Sequence, residues 1–158
     1  VQVKLTRGER EFAATVAVRR CLTLILATPK EDSHQLWGEA VKDATAEFVV
    51  ARATQSFWVG GDFVPLTLAR EIALDVSMHP AGTTHFGVYK PDPNDVHVFV
   101  EEGETPLDFV VVGWATGHVV GRREYRGRGG NFNVPREALH DIESMLATIA
   151  ADPSLAKA

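Results

Sequence analysis

The chain is short of cysteine, of net positive charge and of long apolar runs. Its single cysteine, Cys21, cannot close an intramolecular disulfide, so a disulfide scaffold is excluded. Cys21 sits in an apolar helical stretch and reads as a small core residue. This cysteine usage fits a reducing, cytoplasmic compartment. No apolar run approaches the roughly 20 residues that span a bilayer. The longest, "FVVVGWA", is strand-sized, so no membrane partner is expected. No short apolar core followed by a cleavage site opens the sequence, and no secretory signal is expected. The formal net charge is −5, which excludes broad nucleic-acid binding through a global basic field. A local patch is a different matter. "GRREYRGRGG" places Arg122, Arg123, Arg126 and Arg128 within seven positions, as a solvated loop or as contacts to phosphate.

What is present is ordinary for one globular domain, residues 1–158, with 45% apolar and 23% charged residues. "TRGE" at Thr6–Glu9 matches a capping box, so a long helix should follow and stop near Pro29. "PKEDSHQ" reads as a linker with Asp32 and Ser33 as caps. A second helix is expected from about Leu36 to Phe57, ended by "GGDFVP". The period then changes. "REIALDVSMH", "THFGVYK", "VHVFVE" and "LDFVVVGWA" read as strands of an antiparallel meander, and "NFNV" as a last edge strand. Pro135 suits the first turn of a closing helix, "PREALHDIESMLATIA". The tail from about 151 should fray. Two helices, a run of strands and a helix make an α+β layout, with a central mixed or mostly antiparallel sheet.

Two oddities suggest chemistry. In "EIALDVSMH", Ile72, Leu74, Val76 and Met78 alternate with Glu71, Asp75, Ser77 and His79. A solvated edge explains this; so does a metal site. Glu47 in turn lies near the apolar stripe of the second helix, where a carboxylate is costly without a partner. It either escapes to the stripe's edge, pairs with Arg52 or Arg20, or faces the strand acids. In the last case Glu47, Glu71 and Asp75 would need a hard cation such as Mg²⁺ or Mn²⁺, able to activate water for phosphodiester hydrolysis.

Three stretches resemble small phage-encoded proteins of the PD-(D/E)XK nuclease-like superfamily. They are "LTRGEREFAATVAVRR", "WGEAVKDATAEFVVARATQSFW" and the series "EIALDVSMH … VYKPDPNDVHVFVEE … FVVVGWATGHVVGR … FNVPREAL". The resemblance implies a restriction-endonuclease-like core that binds a divalent metal and cuts DNA. It assigns Glu47 as the helix acid and Glu71 and Asp75 as the strand acids. Ser77 then stands at the position of the family's Lys, a departure that removes a cation. His79 could substitute as a proton-transfer group, and Lys90 is a second stand-in. Asp62 is an alternative first acid. The resemblance leaves two functions open: a metal-dependent nuclease, or a degenerate accessory domain that binds nucleic acid or a protein.

Other motifs carry less. His79, His85 and His97 fall on successive strands but lack zinc-ligand spacing. "GRGG" lacks the Lys-Ser/Thr of a phosphate loop. Trp37, Trp58 and Trp114 read as core or interface anchors. Ser56, Ser77 and Cys21 show no neighbouring His-Asp arrangement in sequence.

Overall fold

The computed structural model describes residues 1–59 and 61–158, without the side chains of Ile25, Glu31 and Ser33. Gly60, in the stretch expected to end the second helix, and the Ser33 side chain, an expected cap, lie outside the described residues. The order is β1 (Gln2–Lys4), α1 (Arg7–Ala27), α2 (Lys30–Ala53), β2 (Ser56–Val59), β3 (Asp62–Pro65), β4 (Asp75–His79), β5 (His85–Tyr89), β6 (Val96–Glu102), β7 (Asp108–Thr116), α3 (Gly117–Val120), β8 (Asn131–Pro135) and α4 (Met145–Ala151). The class is α+β, built on a mixed four-stranded sheet in the order β1-β7-β6-β4. No helix among the described residues is long and apolar enough to cross a membrane.

The capping box forms as read. The Glu9 N–H donates to Thr6 Oγ1 at 3.1 Å, and the Thr6 N–H donates to Glu9 Oε1 at 2.9 Å. The linker does not form. Pro29 is the N-cap of α2, and Asp32 lies inside the helix, its N–H bonded to Pro29 O at 3.0 Å. Proline fits the helix mouth because its missing donor is one that no intrahelical acceptor would use, and acids in the first turn suit the helix dipole. At the other end Gln55 takes a left-handed φ of 51° and turns the chain into β2. Phe57 and Trp58 are therefore strand residues, not the end of a helix. Trp58 closes an aromatic cluster with Phe12 and Phe48, centroids 6.3 and 5.8 Å away.

The expected meander is also corrected. β6 and β7 are antiparallel, but β4 lies parallel to β6 at the sheet's edge. β5 leaves the sheet and pairs with β8 as a separate ribbon. Packing explains the departure. β6 is buried from Val96 to Glu101, so both of its faces need cover. One face presents Val96, Val98 and Val100 with Val76 and Met78. It packs on Ala46, Val49 and Val50 of α2 and on Met145 and Ile149 of α4. The other face presents Phe99 and Ala115, which the ribbon covers with Phe86, Val88 and Val134. Each such aliphatic or aromatic side chain contributes about 1.5–3 kcal/mol when fully buried. α1 packs on α2 rather than on the sheet. Its Leu22, Leu24 and Leu26 are exposed, and Cys21 is only half-buried.

The C-terminal region departs twice. Pro135 ends β8, in register with His85, instead of opening a helix. Single 3-10 turns follow at Arg136–Ala138 and Ile142–Ser144 before the short α4. The His140 bridge to Trp114 holds the intervening chain extended. The tail is not frayed. Leu155 and Ala156 are buried, and Ala156 bonds to Asn94 and Ala73 at 3.1 and 3.0 Å.

Candidate functional site

Register decides where the unusual polar side chains of β4 point. Asp75, Ser77 and His79 pair with His97, Phe99 and Glu101. All six share the sheet face beneath the ribbon, as the His79–Phe86 ring contact at 4.8 Å also shows. α2 covers the opposite face, where Val76 and Met78 lie. Ala46, Val49 and Val50 of α2 meet Val76 and Met78 there, and Glu47 turns to α1 instead of the polar row of β4.

Two of the three expected metal ligands are engaged by different partners, and the third stands apart. Glu47 pairs with Arg20 across the helix hairpin at 2.5 Å, one of the alternatives open from sequence. Burial raises its carboxyl pKa, against the pull of Arg20. Glu71 is exposed and precedes β4. Asp75 Oδ2 lies 2.6 Å from His97 Nδ1. Among the described residues no group of three or more His, Cys, Asp or Glu stands where it could hold a metal ion. As placed, Glu47, Glu71 and Asp75 do not form a ligand set for Mg²⁺ or Mn²⁺. The three strand histidines, which lack zinc-ligand spacing in sequence, have different neighbours: His97 faces Asp75, His79 faces Ser77, and exposed His85 lies 3.1 Å from Thr84 Oγ1. Asp62 opens β3, in the hairpin with β2.

Ser77 does have a histidine neighbour. Its Oγ is 2.7 Å from His79 Nε2. Both side chains are half-buried, and burial holds the His79 pKa down against the Glu101 charge. Two acids missed in the sequence reading complete the surroundings of Asp75. Burial raises the pKa of Asp43, and the charges of Glu39 and Asp75 add to it. Burial does the same for Asp95, with Asp92 contributing. Glu39, Asp43 and Glu47 recur every four residues on α2, a spacing that was visible in the sequence.

The arginine-rich segment builds the opposite kind of site. A cleft of about 460 Å³ lies between the 90–93 turn, α3 and the 123–130 loop. Lys90, His118, Arg123 and Arg126 line it together with four glycines, and no Asp or Glu does. The 3-10 turn Arg123–Tyr125 spaces Arg123 and Arg126 three residues apart, which sets them on one side. Arg122 and Arg128 flank the lining residues in sequence. All four arginines are exposed. Neither they nor Lys90 pair with a carboxylate among the described residues, whereas Arg20, Lys42, Arg52 and Arg136 do. Sequence spacing found the arginines. It could not show that folding delivers Lys90 and His118 to the same cleft. Comparison with known proteins finds no matching family model, curated protein or solved structure.

Proposed function

We propose that the protein is a DNA-binding domain of degenerate nuclease-like type, which grips phosphates in the basic cleft and does not hydrolyse them. One observation carries this reading: Lys90, Arg123 and Arg126 converge without carboxylate partners on one cleft, in a chain whose net charge is −5. Unpaired cations at close range repel one another, and a polyanion relieves that repulsion while releasing its own counterions. The resemblance to the PD-(D/E)XK superfamily, with its restriction-endonuclease-like core, supports the choice of DNA. The absence of cleavage is supported by the acids themselves. Glu47 is engaged by Arg20 and Asp75 by His97, and Ser77 stands where that superfamily has a cation.

Fluorescence anisotropy of a labelled DNA against KCl concentration tests this. Each phosphate contact contributes about 0.9 to the log–log salt slope on duplex and about 0.7 on single strands. Replacing Arg122, Arg123, Arg126 and Arg128 by alanine should lower affinity by at least about ten-fold and flatten the slope by about two or more. Unchanged affinity and slope would reduce the cleft to a solvated loop. Gel analysis of the same mixtures with millimolar Mn²⁺ should show intact DNA. Cutting that disappears in Asp75→Asn would instead restore the metal-dependent nuclease reading.

A further inference from the structure

Resting on that DNA-binding reading, we infer that the cleft takes an unpaired stretch of nucleotides and stacks one base on Tyr89. Alternation along β5 buries Phe86 and Val88 and turns Tyr89 to the outer face, where it is 65% exposed. Its open face stands next to the cation cluster, where an unpaired base can stack on it. The ring is also held in place. Lys90 adopts a left-handed φ of 45°, rare for a non-glycine residue, and its N–H donates to Gly130 O at 2.8 Å. Its ammonium stands 5.2 Å from the Tyr89 ring centroid. A Cβ on Gly130 would lie 2.8 Å from Lys90 Cγ and 3.0 Å from Tyr89 Cε2. Only glycine there lets both side chains rest against the loop backbone. Lys90 and Gly130 both line the cleft, so Tyr89 is fixed at its rim.

This pairing of an aromatic platform with unpaired cations selects the strand state of the ligand. Bases inside a duplex are already stacked on both faces and cannot reach a side-chain ring, whereas an unpaired base can. Phosphates on either side of the stacked base would meet Lys90, Arg123 and Arg126. The net charge disfavours a long duplex, which would bring a second charged strand over the acidic remainder of the protein.

Three labelled probes of about 12 nucleotides test the inference at one salt concentration: oligo-dT, an abasic strand with the same phosphates, and a duplex of equal length. Wild type should bind oligo-dT about ten-fold more tightly than the abasic strand, and more tightly than the duplex. Tyr89→Ala should erase the difference between oligo-dT and the abasic strand. It should leave abasic affinity and salt slope unchanged, because the phosphate contacts remain. Tyr89→Phe should keep the wild-type preference. Equal binding of oligo-dT and abasic strand by wild type would overturn the stacking role. So would tighter binding of the duplex, or an equal loss on all probes in Tyr89→Ala. If the base-dependent part fails but the abasic strand still binds with a steep salt slope, the basic-cleft reading survives alone. If wild type binds none of the probes, both fall.

Discussion

Arg136→Ala should destabilise the protein by about 3 kcal/mol, the lower end of the cost of leaving a buried charge without its partner. Glu101 is 5% exposed on the central strand β6. Its two carboxylate oxygens accept from Arg136, Oε1 from Nη1 and Oε2 from Nη2, the second at 3.3 Å. Arg136 also donates to Thr83 O at 3.2 Å, which ties the turn before β5 to the segment after β8. The guanidinium is partly exposed, so solvent screens its attraction, and its net contribution is smaller than its geometry suggests. Removing it is another matter, because the Glu101 carboxylate stays under the ribbon with no cation. Urea unfolding should show a lower midpoint at unchanged slope. Glu101→Gln combined with Arg136→Met should recover most of the loss, since neither side chain then carries a charge. A loss below about 1 kcal/mol in the single variant would mean that water replaces the guanidinium.

The second large effect belongs to Gly117. An added Cβ would lie 1.7 Å from Asp92 O and 2.6 Å from Asp92 C. That neighbour is backbone and cannot rotate away. It sits in a turn closed by Asp95 N–H to Asp92 O at 3.0 Å and by Asn94 N–H to Asp92 Oδ1 at 3.0 Å. The same turn accepts the Gly117 N–H at Asp95 O, 2.8 Å away. Gly117→Ala must therefore push the turn off α3. Overpacking of this kind costs about 1–3 kcal/mol, with the upper end expected because a backbone oxygen is displaced. The turn and α3 form two walls of the basic cleft, so on the proposed DNA-binding reading affinity for DNA should fall together with stability. Gly38→Ala is the matching control. It lies within α2 with nothing near its Cβ position and should stabilise by about 0.5–1 kcal/mol. Thermal unfolding of the two variants should move in opposite directions. A neutral Gly117→Ala would mean the turn yields freely.

Local signals in the sequence were read correctly and long-range ones were not. Thr6 and Glu9 sit three residues apart and bond as the spacing requires. The expected strand begins later than read: β4 starts at Asp75, where alternation to His79 gives two unlike faces, while Ile72 ahead of it bridges Phe63 and Lys157. Alternation does not say which face a helix will cover, and that choice separates Glu47 from the polar row of Asp75. The alternative for Glu47, a bond to Arg20, needed only the neighbouring helix. β1 has three residues, too few for any period to register. Pro135 was ambiguous in principle, because both a helix start and a strand end accept a residue without an N–H. The tail looked polar and short, but Leu155 is buried by residues far away in the chain. The arginines were legible because they are neighbours in sequence. Lys90 and His118 join them only through the turns that bring β5 and α3 together.

The three-residue strand β1 has a kinetic consequence. Val1 bonds to Val111, 110 positions away, and Gln2–Lys4 pair with Asp108–Val110. The β6–β7 hairpin closes over a short connection and can form early, whereas β1 must wait for that hairpin to offer its outer edge. The first residues of the sheet are thus the last to dock. Contacts that close this late are expected to act on the rate of unfolding more than on that of folding. Leu5, 1% exposed and bonded to Leu107 O, then works as a latch. Seated there, it ties the junction between β1 and α1 to the β6–β7 turn, and its substitution by alanine should speed unfolding more than it slows folding.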